Sequence, residues 1–364
     1  MKKSAIIAIA AAIVCSCGKP AVTQINGVSE IKNQVWKASF TIPEVIDTTV
    51  EMYAGEFSLE IPAAPTKAGV VKAGSFRERF ISDGTPMNIV IDSLGIHIAC
   101  LTPEKSIHAR WAEFKDATKK IFEDHYASMA ALREKGLENE AFEAESKTIL
   151  DATVEKLKGF LLDAAKNNKD NYIAIEAVQN LRGQGIIEDE ELLPIINSLS
   201  DELKADPQIQ KMLTVMENYA KTAEGKPFTD FTVETVAEDG STTKVSLSDY
   251  VGKGKYILVD FWASWCGPCK AEIPNVKNVY ETYAGENFDV LSVAVWDKPE
   301  DTIKSAAEHG IVWNQINNAQ SVPTDIYAIQ GIPHFILFGP DGTIVKRGIR
   351  GPKIGEAVAE ALGK

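Results

Sequence analysis

The sequence predicts an α/β domain over residues 226–364, preceded by a small antiparallel β-sandwich over 28–101 and a helical linker domain over 102–225. Three observations lead there. Apolar and polar residues alternate in short runs up to Leu101, the period changes to three- and four-residue steps after Thr102-Pro103, and strand-like and helical runs alternate after Phe228. A chain of 364 residues is also too long for one small core. Its 45% hydrophobic and 24% charged residues are those of an ordinary globular protein. The net charge of −13, with no basic run to offset it, argues against a nucleic-acid partner, because phosphate contacts need concentrated Lys and Arg.

Residues 1–17 read as a lipoprotein signal peptide and 18–27 as a tether. Lys2 and Lys3 precede an apolar stretch from Ala5 to Val14, too short for a bilayer of roughly 30 Å but suited to a secretory segment. It ends in Val14-Cys15-Ser16-Cys17-Gly18, which resembles a bacterial lipobox and implies acylation of Cys17. Acyl chains there would anchor the protein to a membrane of the cell envelope, facing the periplasm; simple cleavage and secretion is the alternative.

In the β-rich stretch, Phe40/Ile42, Phe57/Leu59/Ile61 and Ile89/Ile91 alternate with polar neighbours, and Gly55, Pro62, Pro65, Gly84 and Pro86 punctuate the runs. Cys100 closes the last run and reads as a buried, inert thiol. The helical stretch repeats Ile107, Trp111, Phe114, Ile121 and Leu132, then Ile149, Leu157, Leu161, Ile175, Val178 and Leu181. Asn167-Asn168 and Gly183-Gln184-Gly185 break it into separate helices. His108 and His125 stand alone on these helices and read as structural. Beyond Glu224-Gly225-Lys226-Pro227, Tyr256–Trp262 and Phe288–Val295 are strands, followed by helices from Cys266 and over 300–308. Phe335–Phe338 and Thr343–Ile349 form a hairpin across Gly339-Pro340-Asp341-Gly342, and a last helix spans Ile354–Leu362.

The chemistry lies in Trp265-Cys266-Gly267-Pro268-Cys269-Lys270, where an apolar strand turns into a helix. Cysteines three apart share a helix face, so their α-carbons can lie within the roughly 4.4–6.8 Å that a disulfide needs. Cys266 falls at the helix N-terminus, where unpaired N–H groups and the dipole favour a thiolate and leave it accessible. Pro268 loses no hydrogen bond in a first turn. Cys269, further in, is expected to be shielded. A Cys-x-x-Cys pair can be half of a zinc site, but zinc takes four ligands and the sequence offers no second pair or His cluster, so no metal is expected. Asp260 inside an apolar strand is expected to be buried with a raised pKa and to exchange protons with Cys269.

With these residues in view, the stretch from about Gly225 to Lys364 resembles a thioredoxin-like thiol–disulfide oxidoreductase of the TlpA/ResA type, within the redoxin group. The resemblance implies a thioredoxin fold, attack on substrate by Cys266 and resolution by Cys269. It implies that Pro274 kinks the active-site helix. It also implies that Ile332-Pro333 is a cis-proline loop which, with Trp265, Gly267 and Pro268, lines the substrate groove. Glu272 matches an acid of that family, three residues after the second cysteine. The earlier β-rich stretch resembles a domain of undefined function that precedes such domains in lipoproteins of some Gram-negative bacteria.

The resulting expectation is a periplasmic reductant of protein disulfides, with no cofactor besides its own Cys266–Cys269 disulfide. The Gly-Pro spacer is that of thioredoxin, at about −270 mV, rather than of oxidants near −120 mV. An oxidising compartment would not recharge it, which implies a membrane-embedded electron donor; cytochrome c maturation and rescue of oxidised cysteines are both compatible tasks. Two alternatives stay open. One is a thiol peroxidase, disfavoured because Ala263 stands where peroxiredoxins carry Thr or Ser three residues before the reactive cysteine. The other is a partner-binding lipoprotein in which residues 1–225 dominate and the redox site is secondary.

Overall fold

The computed structural model describes residues 21–31, 35–53, 56–237 and 239–364. The signal peptide and Cys17 lie outside the described residues. The chain forms two compact units, Met1–Gln210 and Lys211–Lys364.

In the first unit, β1 (Val22–Ser29), β4 (Glu56–Pro62), β7 (Met87–Ile91) and β8 (Ile96–Cys100) form a sheet in the order β4-β1-β7-β8. A second sheet, β3-β2-β5-β6, holds β2 (Val35–Ile42), β3 (Ile46–Tyr53), β5 (Ala68–Ala73) and β6 (Phe76–Ile81). Ile25, Ile61 and Ile89 of one sheet and Phe40, Val71 and Phe80 of the other fill one core, which makes a β-sandwich. Pairing is antiparallel except between β1 and β7, which run parallel with Ile25 opposite Met87. The tether expected over 18–27 is therefore strand from Val22. Its inward positions alternate through Thr23, Ile25 and Gly27, where polar and small residues hide the apolar pattern.

Helices follow: α1 (Ile107–Glu134), α2 (Asn139–Asn167), α3 (Tyr172–Gly183), α4 (Asp189–Asn197), α5 (Asp201–Lys204) and α6 (Pro207–Lys221). The sequence separates them from the strands at Leu101, but α1 is fastened to the sandwich. Asp83 accepts hydrogen bonds from Ser106 Oγ, Ile107 N and His108 N, satisfying free donors at the start of α1. His108 Nδ1 accepts the Ile81 N–H at 3.2 Å, so its role is structural. The indole of Trp111 is fully buried, donates to Glu176 and carries the Arg79 guanidinium over its ring at 5.0 Å. These ties place the strands and α1 to α5 in one unit, which ends at Gln210 within α6.

The second unit opens with the hairpin β9 (Thr232–Val236) and β10 (Thr242–Ser246). Its main sheet contains β11 (Tyr256–Trp262), β12 (Phe288–Ala294), β13 (Asn314–Ile316), β14 (His334–Phe338) and β15 (Ile344–Arg347), in the order β13-β12-β11-β14-β15. Strands β11, β12 and β13 are parallel, and β14 and β15 join antiparallel. Between them run α7 (Gly267–Tyr283), α8 (Pro299–Glu308) and α9 (Val322–Ile326), with α10 (Pro352–Ala361) closing the chain. This mixed α/β sheet is a thioredoxin fold. The two faces of β11 fill two cores: Ile257, Val259 and Phe261 on one side, Leu258 and Trp262 on the other. The turn before β15 needs glycine, since Gly342 has φ of 88° and an added Cβ would lie 2.5 Å from Phe228.

Candidate active site

Strand β11 ends at Trp262, and the chain turns through Ala263, Ser264 and Trp265 to Cys266, the N-cap of α7. Cys266 and Cys269 form a disulfide with α-carbons 5.3 Å apart. Cys266 Sγ accepts the Cys269 N–H at 3.1 Å, the bond that an Asp or Ser oxygen makes at other helix caps. A sulfur held there faces the positive end of the helix, which lowers the cost of a thiolate. Pro268 occupies the first turn and Pro274 lies inside the helix.

One expectation is corrected. Cys266 and Cys269 are 4% and 2% exposed, so accessibility does not separate them. Both cysteines belong to the buried cluster that holds Trp262, Ile273 and Phe335. The capping hydrogen bond is what distinguishes Cys266.

Alternation along β11 puts Asp260 on the same face as Leu258 and Trp262, the face that packs with the two cysteines. Asp260 is 3% exposed, and burial pushes its carboxyl up to about 8; a weak bond from Ser292 opposes this and the Glu272 charge adds to it. Ser292 Oγ lies 3.4 Å from Oδ2 and itself accepts the Trp313 indole N–H at 2.8 Å. Indole only donates, so the Ser292 proton is left for Asp260. Asp260 Oδ1 has no partner among the described residues. Asp260 is thus a carboxyl able to hold or release a proton near neutral pH.

Glu272 is occupied otherwise. Its two oxygens accept the Gly351 N–H at 3.1 and 3.2 Å, and Asn275 Nδ2 donates at 2.7 Å, so it ties α7 to the start of α10. The Ile332-Pro333 peptide is cis, and Ile332 packs against both cores, including the one holding the disulfide. His334 follows at the start of β14; burial first, then Arg347 and Arg350, hold its imidazole down at about 4, so it is neutral at pH 7. Gly267 and Pro268 are exposed, and Trp265 stands 59% exposed.

Two neighbouring residues carry no sequence signal. Trp296 and Asp297 follow β12, and with Trp265 and Gln320 they help line an open groove of about 380 Å³. Trp265 Nε1 donates to the Trp296 carbonyl at 3.0 Å. Trp296 has φ of 55°, a left-handed conformation that costs a bulky L-residue about 1–2 kcal/mol. Asp297 is 8% exposed and fully partnered. Among the described residues no His, Cys, Asp or Glu cluster suits a metal ion, and no helix is long and apolar enough to cross a membrane.

Residues 225–347 match the AhpC/TSA family. The thiol–disulfide oxidoreductase ResA of Bacillus subtilis (strain 168) is 28% identical over 111 residues, 30% of this chain and 61% of that protein. The chain spans about three fifths of the length of the first ResA relatives it matches. A thioredoxin of Mycolicibacterium smegmatis is 35% identical over 116 residues, 31% of this chain and 84% of that protein. Among solved structures, the thioredoxin domain of a thiol–disulfide oxidoreductase from Bacteroides vulgatus is 32% identical, with a TM-score of 0.33, covering 38% of this chain and 96% of that one.

Proposed function

The chain belongs to the thioredoxin family, and we propose that it is a thiol–disulfide oxidoreductase that reduces disulfides of other proteins through Cys266 and Cys269. The observation that carries this reading is the disulfide at the N-cap of α7, with Cys266 Sγ under the Cys269 N–H. In the reduced protein the Cys266 thiolate attacks one sulfur of a substrate disulfide. The Cys266–substrate bond forms, and the other substrate sulfur leaves and takes up a proton. The ionised form of Asp260 takes the Cys269 proton, and the Cys269 thiolate attacks Cys266 Sγ, which expels the second substrate sulfur to be protonated from solvent and restores the Cys266–Cys269 disulfide. Two electrons pass to the substrate. A carboxyl held near 8 suits this proton exchange at neutral pH.

Recharging the dithiol needs two electrons from a donor, which in an oxidising envelope is a membrane-embedded reductase. Cys17 is proposed as the lipid-bearing residue that holds the protein at that membrane. The exposed Trp265, Gly267 and Pro268, with the Ile332-Pro333 loop, are proposed as the surface that an extended substrate segment meets.

The match to the AhpC/TSA family favours a second reading, reduction of peroxides. Ala263, three residues before Cys266, lacks the hydroxyl that such chemistry draws on. Redox titration of the purified protein against glutathione, with peroxide consumption in parallel, tests both. The expected potential is about −230 to −280 mV without appreciable peroxide turnover. A potential near −120 mV would reverse the direction of electron flow, and rapid peroxide consumption would favour the second reading.

A further inference from the structure

Asp297 lies in the loop between β12 and α8, well after the cysteines in the chain, yet its carboxylate is committed to the turn that leads into Cys266. Oδ2 accepts the Ser264 N–H at 2.6 Å and the Thr302 hydroxyl at 2.9 Å. Oδ1 accepts the Ser264 hydroxyl at 3.0 Å and the Lys298 N–H at 2.9 Å. One residue back, the Trp296 carbonyl accepts the Trp265 indole N–H, and the Asp297 carbonyl accepts from Gln320 Nε2 at 2.7 Å. Ser264-Trp265 is thereby bound to Trp296-Asp297 by three hydrogen bonds, and Cys266 is the next residue of the first pair.

The donor set demands a carboxylate. Each oxygen takes one main-chain N–H, from Ser264 or Lys298, and a main-chain N–H cannot turn to accept. An asparagine in either orientation would set its NH₂ against one of them. Trp296 is held in its left-handed conformation within the same cluster, and strain of this kind gathers where surrounding bonds over-determine a functional geometry.

We propose that Asp297 is a positioning residue for disulfide exchange: it clasps the Ser264-Trp265 turn to the loop after β12 and so holds Cys266 at the cap of α7 and Trp265 at the rim of the groove. This rests on the exchange function proposed above. The clasp acts through the turn and does not touch the reacting sulfurs. It fixes the direction from which Cys266 Sγ meets the α7 N–H groups, and small displacements of a capping sulfur weaken its thiolate.

The test compares wild type, Asp297→Asn, Ser264→Ala and Asn317→Ala as reduced proteins. Asn317 is a control of similar build: buried in the same unit, it accepts from Thr235 Oγ1 and Val236 N and donates to Val236 O, so its loss disturbs folding but not the Cys266 turn. Two readouts are taken on each, the rate of Cys266 alkylation as a function of pH and the unfolding midpoint. Asp297→Asn is expected to slow alkylation at pH 7 by about tenfold, the worth of one charge-assisted hydrogen bond, and to move the alkylation midpoint to higher pH. Ser264→Ala, which keeps the main-chain bond, should slow it about threefold on the same scale. Asn317→Ala should lower the unfolding midpoint and leave alkylation within twofold. Asp297→Asn with a wild-type pH profile, or Asn317→Ala with the same shift as Asp297→Asn, would overturn the proposal. A wild-type protein that alkylates readily but exchanges no disulfide would instead count against the exchange function, leaving the alkylation comparison intact.

Discussion

Asp260 and Asp297 are both buried, 3% and 8% exposed, and both lie beside the Cys266 turn or its strand, yet they are built for opposite purposes. Asp297 receives four hydrogen bonds, two of them from main-chain N–H groups. Asp260 receives one weak bond, at 3.4 Å, and leaves Oδ1 unpartnered. Burial alone therefore does not set the behaviour of a carboxyl; the number of donors aimed at it does. Asp297 holds chain segments together, whereas Asp260 is kept where its charge is costly, which is the condition for exchanging a proton near pH 8.

The contrast predicts opposite responses to mutation. The largest effect belongs to Asp260. Its folded pKa, about 8, lies above the ordinary value of 3.8, so between those pH values the folded state binds the extra proton and stability falls as pH rises. The loss should reach about 4 kcal/mol between pH 4 and pH 7, at 1.36 kcal/mol per unit. Denaturant unfolding of the oxidised protein should show that slope in wild type and a flat profile, with higher stability at pH 8, in Asp260→Asn. Parallel profiles would mean that Asp260 is not held neutral.

Asp297→Ala comes next, with the opposite sign. It strands two main-chain donors and two hydroxyls, and should destabilise the second unit by about 3 kcal/mol. An unfolding midpoint equal to that of wild type would show that the clasp contributes nothing, and the comparison would then collapse.

The smallest effect is expected at the remaining thiol. Cys100 is half-buried rather than fully buried, lies 3.1 Å from Ser106 Oγ, and has its thiol pushed up first by burial. Burial outweighs its contacts with Ser106 and the Ala109 N–H at the start of α1, so its thiolate is disfavoured. Cys100→Ala should change stability by about 1 kcal/mol or less and leave the glutathione titration unmoved. A shifted titration would give Cys100 a redox role.

Asp260 was legible in the sequence because it is the one charge in the apolar run Tyr256–Trp262, and an isolated charge in a buried strand is visible locally. The cysteine pair, the helix start and the Gly339–Gly342 turn were legible for the same reason: their signals lie within a few residues. Asp297 was not, because Trp-Asp-Lys-Pro reads as an ordinary strand exit and its partner Ser264 is 33 residues away. The partner of Glu272 is more distant still, the Gly351 N–H at 79 residues, so its tie to α10 was hidden while its acidity was plain. β1 was missed because Thr23 and Gly27 occupy inward positions usually marked by apolar side chains. Cys266 is buried within the closed disulfide, a packing that spacing permits but does not describe.

Trapping with serine variants addresses the central claim most directly. Cys269→Ser and Cys266→Ser proteins, each expressed in cells, are compared on non-reducing gels. Cys269→Ser keeps the capped nucleophile and lacks the resolving thiol, so it should accumulate mixed disulfides with other proteins that disappear on reduction. Cys266→Ser should accumulate none. Equal trapping by both variants, or by neither, would contradict the assignment of Cys266 as nucleophile and Cys269 as resolving thiol.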